Sequence, residues 1–319
     1  MRLVVLMIKY KRIMVAGHTG MVGSEFYNYY QNLEDIDLLG VSSQEVDLRN
    51  QEQSYQLVAD YQPDLIIMAA AKVGGILSND KYPADFLSDN VLMQTNMILA
   101  AHKFSVSKFL FFGSSCIYPK FAPQPIKETS LLTGSLEETN EAYAIAKISG
   151  VKLIDAMRKQ FGHDYISVMS TSLYGPGDNF DEEYAHVIPS LIRKFHKAKR
   201  ENLPFVTLFG DGSPLREFLH VKDIVLACDW LIQNFSELGP INVGSGEEIS
   251  IRQLAELIAG ELEYKGEILW DTSKPNGTPR KFLDSHRILE HGWKPTISFE
   301  AGIREVIVNY RSMIEMNLG

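Results

Sequence analysis

A chain of 319 residues, 45% hydrophobic and 22% charged, has the composition of an ordinary globular protein and enough material for one large or two modest domains. A net charge of −9 excludes the broad basic footprint of a nucleic-acid binder but is compatible with a local basic pocket for a phosphorylated ligand. Two cysteines are too few for a disulfide framework, no Cys/His cluster has metal-ligand spacing, and no stretch approaches the about 20 apolar residues of a membrane span. The expected protein is cytoplasmic, with no metal, no membrane and no nucleic-acid partner.

Residues 1–10 carry a short apolar run that Lys9-Tyr10-Lys11-Arg12 cuts off, without a signal peptide's cleavage pattern, and read as an extension. Arg12 to Ala16 is the first strand. Gly17-His18-Thr19-Gly20-Met21-Val22-Gly23 follows and opens a helix from about Ser24 to Leu33. Gly17, Gly20 and Gly23 form a variant of the dinucleotide fingerprint, in which glycines permit a tight turn, approach of backbone to pyrophosphate, and close helix–strand packing. The helix amino terminus offers free N–H groups to the phosphates.

Asp37 to Val41 is the second strand. Ser42-Ser43 follows with no acid and no Arg directly at the strand end, which favours a 2′-phosphate over a bare ribose and so NADPH. Asp47-Leu48 then resembles the acidic turn that lies beside the adenine in dinucleotide-binding relatives, and equally Asp47 can cap a helix starting near Gln51. Asp64 to Ala71 is a buried strand ending in small residues, and a helix is expected from Asp89 to Phe104.

Phe109-Leu110-Phe111-Phe112 reads as another buried strand, with Gly113-Ser114-Ser115-Cys116-Ile117-Tyr118-Pro119 at its carboxyl end, where open α/β sheets bind ligands. Tyr143-Ala144-Ile145-Ala146-Lys147 begins a helix to about Arg158, and the i, i+4 spacing puts Tyr143 and Lys147 on one face. A cation there is expected to lower the Tyr143 pKa, and Ser114 can add a hydroxyl to the same substrate oxygen. That trio suits reduction of a carbonyl. A strand at Ile166–Ser170 leads to a turn-rich stretch ending at Phe180. Further expectations are a helix opening at Ala185–Pro189, strands at Thr207, Ile241 and Glu267, and helices over 251–263 and 299–313.

The glycine trio, the Ser-rich strand end and Tyr143-x-x-x-Lys147 together resemble the extended short-chain dehydrogenase/reductase family. Further strings narrow the resemblance to members that epimerise and reduce a GDP-keto sugar: Ala69 to Gly75, Gly113 to Lys120, Leu173 to Phe180, His186 to Pro189, Arg216 to Val221 and Ser273 to Lys281. The fold this implies is α/β, a Rossmann-like doubly wound parallel sheet over 11–175 with a returning segment at about 217–245. A smaller carboxyl-terminal α/β substrate lobe would take 176–216 and 246–319.

The activity implied is NADP(H)-dependent conversion of GDP-4-keto-6-deoxy-mannose, with inversion at C3 and C5 and then reduction at C4, in a homodimer. A related heptose or colitose pathway enzyme is an alternative, and a silent cofactor-binding sensor a more distant one. By resemblance the catalytic set is Ser114, Cys116, Tyr143, Lys147 and His186, Cys116 and His186 being the epimerisation pair. The cofactor would touch the turn Gly17, Thr19, Gly20, Met21, Val22 and Gly23, then Ser42, Ser43, Asp47 and Leu48. Ala70, Gly113, Ser115, Ser170, Ser172, Leu173 and His186 would touch it as well, and Lys147 would bind its nicotinamide ribose. Lys194, Phe209, Arg216, Asn276 and Lys281 would hold the nucleotide sugar. Departures from the family pattern are Thr19 and Ser43 in place of arginines, Ser170 and Ser172 beside Thr171, Phe209 in place of Trp, and Asn276 in place of Asp.

Overall fold

A computed structural model describes residues 9–274 and 276–318. Residues 1–8 of the expected extension lie outside the described residues. Tyr10 is only 3% exposed and packs in the core, so the folded body includes the end of that segment.

The first half of the chain alternates strand and helix. It runs β1 (Arg12–Ala16), α1 (Met21–Gln31), β2 (Asp37–Val41), α2 (Gln51–Tyr61), β3 (Leu65–Met68), α3 (Ile76–Lys81), α4 (Pro83–Lys103), β4 (Lys108–Phe112), α5 (Glu141–Phe161) and β5 (Asp164–Ser170). The second half contains β6 (Ser172–Tyr174), α6 (Val187–Arg200), β7 (Phe205–Phe209), β8 (Leu215–His220), α7 (Val221–Asn234) and β9 (Pro240–Val243). It ends with β10 (Glu248–Ser250), α8 (Ile251–Glu261), β11 (Glu267–Asp271), β12 (Arg280–Lys281), α9 (His286–Leu289) and α10 (Phe299–Leu318).

Six strands form a parallel sheet in the order β2-β1-β3-β4-β5-β9. Strands β1, β3 and β4 are nearly continuous apolar runs because helices cover both faces. Side chains of α2, α4 and α5 pack on one face and those of α1 and α7 on the other. β4 begins one residue early, at a lysine. Lys108 is 1% exposed, and its ammonium donates to Asp164 Oδ1 (2.9 Å) and the Phe235 carbonyl (2.8 Å).

A second core, built from β7, β8, α6, α8 and α10, defines the smaller carboxyl-terminal lobe. Its sheet runs β10-β8-β12 with β6 also on β8, and β7 pairs with β11. The strand β8 was not expected from the sequence: four of its six residues are buried, which erases the alternation that marks a half-exposed strand. Helix α4 starts at Pro83, ahead of the expected Asp89, because proline is tolerated in a first turn whose N–H groups need no helical partner. Among the described residues no helix is long and apolar enough to cross a membrane.

Candidate active site

The cleft opens at the carboxyl ends of β1, β3 and β4, where the strand order reverses between β1 and β3. Gly17 has φ +85°, and a Cβ there would stand 2.7 Å from the backbone of Ala70, past the end of β3. A Cβ on Gly23 would meet the Gly17 carbonyl oxygen at 2.0 Å. The protein itself therefore requires both outer glycines. Gly20 is different: its Cβ would find only an ordinary contact at 3.6 Å, so the protein alone does not demand a glycine there. It caps α1 without a side-chain bond, and the first turn holds no acid, which leaves the Met21, Val22 and Gly23 end of the helix suited to an anion. The turn fits a dinucleotide pyrophosphate.

Asp47 does not cap α2; Asn50 does, accepting from Gln53 N at 3.1 Å. Asp47 instead binds Arg49 through two bonds of 2.9 and 3.0 Å, and Leu48 beside it is buried. Ser42 is buried at the end of β2. The expectation that no acid stands there fails in three dimensions, because Glu45 turns back and accepts from both Ser42 N (2.9 Å) and Ser42 Oγ (2.7 Å).

At the end of β4, Gly113 lies against Met169, where a Cβ would come within 2.0 Å of the methyl group. Ser114 follows in extended backbone, and its hydroxyl accepts from Cys116 N at 3.3 Å. Ser115 and Cys116 are 5% and 7% exposed. Burial pushes the Cys116 thiol up; Lys281 chiefly opposes this, followed by Ser114, Lys147 and a hydrogen bond from Asn140.

Tyr143 and Lys147 come from the first two turns of α5. The Lys147 ammonium does not reach the Tyr143 hydroxyl. It donates to the Phe112 carbonyl at 2.8 Å and lies over the Phe111 and Tyr143 rings, 4.9 and 5.8 Å from their centroids. Burial pushes Lys147 down to about 8. Tyr143 is moved upward, by burial and then by Cys116, opposite to the lowering expected from a neighbouring cation. Desolvation outweighs the cation here because the ammonium is spent on a carbonyl.

His186 takes the N-cap position of α6 in extended backbone, with no capping bond from its side chain. Its ring is reachable by solvent yet ringed by protein, and that enclosure lowers its pKa and favours neutral imidazole. Ser170 is buried; Ser172 and Leu173 are half-buried in β6, and Thr171 Oγ1 between them donates to the Glu217 carbonyl at 2.9 Å.

The remaining expected residues lie on the lobe. Phe209 is 57% exposed, with the Lys194 and Lys274 ammoniums 5.4 and 6.0 Å from its ring centroid. Arg216 is half-buried and in register with Lys281 across β8 and β12. Asn276 accepts from Asp211 N at 2.9 Å, so its carboxamide helps hold the turn after β7. Sequence reasoning missed Asn140, Lys274, Glu45 and Glu217. Asn140 alone left a signal, standing three residues before Tyr143 on the same helical face.

A parallel sheet, a glycine turn at its switch point and a Ser/Tyr/Lys cluster define a nicotinamide-dinucleotide enzyme acting on a carbonyl. The chain belongs to the NAD dependent epimerase/dehydratase family, whose pattern matches residues 13–244. It is 48% identical over 307 residues to the GDP-L-fucose synthase of Sinorhizobium fredii, covering 96% of this chain and 98% of that one. With the GDP-L-fucose synthase of Escherichia coli the identity is 47% over 302 residues, covering 92% and 94%. A GDP-L-fucose synthetase from Naegleria fowleri bound to NADP superposes with TM-score 0.87 at 31% identity, over 96% of this chain and 94% of that one. A GDP-6-OMe-4-keto-L-xylo-heptose reductase from C. jejuni superposes with TM-score 0.90 at 29% identity, over 95% and 98%.

Proposed function

We propose that the protein converts GDP-4-keto-6-deoxy-D-mannose to GDP-L-fucose with NADP(H), inverting C3 and C5 before reducing C4. The observation that carries the reading is the meeting of Cys116 with Ser114, Tyr143 and Lys147 in one cleft. A plain carbonyl reductase has no use for the thiol.

The hydrogens at C3 and C5 are acidic because each is alpha to the C4 ketone. One member of the Cys116/His186 pair takes a proton from the ring and the other returns one to the opposite face. As the C–H bond breaks, its electron pair moves to the C4 oxygen, where the Ser114 and Tyr143 hydroxyls donate. The burial that raises the Tyr143 pKa keeps that hydroxyl protonated, and therefore a donor. NADPH, when bound on the glycine turn, supplies the hydride that C4 receives. Tyr143 then releases its proton to the C4 oxygen, and the Lys147 charge beneath the ring favours the phenolate left behind. One set of donors serves the enolate and the alkoxide because both place negative charge on the same atom. Arg216 and Lys194 suit the diphosphate, and Phe209 offers an exposed aromatic face to the nucleotide.

The test is turnover of GDP-4-keto-6-deoxy-mannose with NADPH in deuterated water, read by NMR. Deuterium at C3 and C5 of GDP-L-fucose is the expected result. NADPH oxidation without ring deuterium would reduce the protein to a 4-reductase, and turnover confined to a GDP-keto-heptose would favour the activity of its heptose-reductase neighbour. Cytoplasmic residence and a homodimer through α4 and α5 belong to the same proposal. Leu92 and Ile145, 46% and 44% exposed on those helices, support the pairing, which light scattering at twice the chain mass would bear out.

A further inference from the structure

The loop after β3 is tied down at both ends. At its start Lys72 N donates to Asn90 Oδ1 at 2.9 Å, and the Lys72 carbonyl accepts from Asn90 Nδ2 at 3.0 Å. Gly74 and Gly75 then lead into α3, and two successive glycines leave the backbone unusually free. Asn79 pins them. Its Nδ2 donates to the Gly74 carbonyl at 2.8 Å and to the Gly75 carbonyl at 2.9 Å. Asn79 is 6% exposed, and its Oδ1 is buried without a partner among the described residues. Two carbonyls facing one side chain call for two N–H donors, which a carboxamide has and a hydroxyl lacks.

What the pinned loop holds is the approach to His186. Gly75 N donates to the Tyr184 carbonyl at 3.2 Å, and a Cβ on Gly75 would stand 3.0 Å from the carbonyl oxygen of Ala185, the residue before His186. The preceding turn is closed on itself: Asp181 Oδ1 accepts from Glu183 N at 2.8 Å and Tyr184 N at 3.2 Å. On the far side, Ser190 N donates to the His186 carbonyl at 3.0 Å. The His186 side chain makes no capping bond, so the backbone on either side decides where its ring stands. Lys81 also bonds Glu183 at 2.6 Å, but an exposed pair of this kind contributes little. Helix α3 packs as well against Glu138–Asn140, the one-turn helix whose Asn140 reaches the Cys116 thiol. One short helix therefore touches the supports of both proton-transfer groups.

We propose that Asn79 is a positioning residue for epimerisation: by pinning Gly74 and Gly75 it sets where His186 stands relative to Cys116. The inference rests on the proposed function, in which these two groups move the ring protons. Inversion needs one group on each face of the sugar and so depends on their spacing. Hydride transfer at C4 uses Ser114, Tyr143 and the cofactor, and is indifferent to that spacing. Loosening the pin slows inversion and spares the C4 step.

Two reactions separate the steps. Conversion of GDP-4-keto-6-deoxy-mannose with NADPH requires inversion, whereas oxidation of GDP-L-fucose by NADP+ reverses the C4 step alone. Asn79→Ala is expected to lower kcat of the first by about tenfold, within the about hundredfold that a 1 Å misplacement can cost, and that of the second by less than about twofold. KM for both sugars should hold within about twofold, since the binding groups are untouched. Gly75→Ala keeps Asn79 and suits the local φ of −70°, but it crowds Ala185, and should slow the first reaction alone by about threefold. In the His186→Ala protein, Asn79→Ala should cause no further loss, because the group it positions is gone. Equal slowing of both reactions in the folded Asn79→Ala and Gly75→Ala proteins would overturn the proposal. So would a loss that adds in full to that of His186→Ala. A wild type that oxidises GDP-L-fucose but takes up no ring deuterium in the forward reaction would overturn the proposed epimerisation, and the role of Asn79 with it.

Discussion

Cys116 and Lys281 stand on different lobes of the chain, and their chemistry is set by each other. Burial raises the thiol and lowers the ammonium, while each charge moves the other back toward its ionised form. The backbone around them is fixed. Ile126 N donates to Phe282 O at 2.7 Å, Phe282 N to Gln124 Oε1 at 2.9 Å and Asp284 N to Ile126 O at 2.8 Å, stitching the loop after Cys116 to the strand that carries Lys281. By resemblance Lys281 serves the nucleotide sugar; the fold also brings its charge within reach of the thiol. The groups around the pair are Ser114, Asn140, Tyr143 and Lys147 at the thiol, with Arg216 and Glu137 at the ammonium. The thiolate forms as pH rises, and a nearby cation lets it form earlier. Replacing Lys281 by Met should therefore raise the apparent pKa of Cys116 alkylation. Iodoacetamide labelling across pH, read by mass spectrometry of the Cys116 peptide, checks this, and Lys281→Arg should restore the wild-type profile. An unchanged profile with weakened GDP binding would leave Lys281 serving the diphosphate alone.

Among the elements, the glycine turn into α1 depends on what neighbouring backbone leaves open. Gly17 and Gly23 are held by backbone on backbone, with no flexible side chain able to yield. Gly23→Ala must push α1 away from the turn. Dinucleotide affinity should fall by more than about tenfold, and chemical denaturation should show a loss of about 1–3 kcal/mol, the range for overpacking a tight contact. Wild-type affinity in that variant would mean that α1 can shift without cost to the cleft. The strands β1, β3 and β4 were legible because each is an apolar run followed by small residues. The strand β8 was not, since its neighbours in the lobe sheet and the helices behind it, not its own alternation, make it a strand.

Across the whole molecule, Glu217 on β8 ties the lobe to the cofactor sheet. It is fully buried, and its carboxylate accepts from Gly246 N at 2.8 Å, just past β9, and from Leu283 N at 3.1 Å, just past β12. A Cβ on Gly244 would meet that carboxylate at 2.3 Å. Thr171 of the cofactor side donates to the Glu217 carbonyl, and Arg216, its chain neighbour, projects to the opposite face of the strand. Glu217→Ala orphans the buried Leu283 N–H and frees the Gly246 N–H to water, and should cost about 1–3 kcal/mol in denaturant unfolding. GDP affinity should fall with it, because Arg216 and Lys281 lose their common anchor, while binding of 2′,5′-ADP on the glycine turn persists in the folded fraction. Equal loss of both ligands would show that the lobe and the cofactor sheet do not separate in this way.

The sequence by itself determined the parallel sheet and the glycine turn, and it singled out Ser114, Tyr143 and Lys147 as candidates, while Cys116 and His186 entered through the family resemblance. The features read directly depend on local order: an apolar strand followed by glycines or serines, or a tyrosine and lysine one helical turn apart. Only the tertiary structure decided that Lys147 spends its ammonium on the Phe112 carbonyl, that Lys281 stands by Cys116 and that Glu217 joins the two lobes. It also turned Glu45 back onto Ser42, a short-range contact that residue spacing leaves open. The physical reason is that a charge or hydrogen bond is set by distance and enclosure. Across 165 positions of chain, as between Cys116 and Lys281, no periodicity in the sequence records either one.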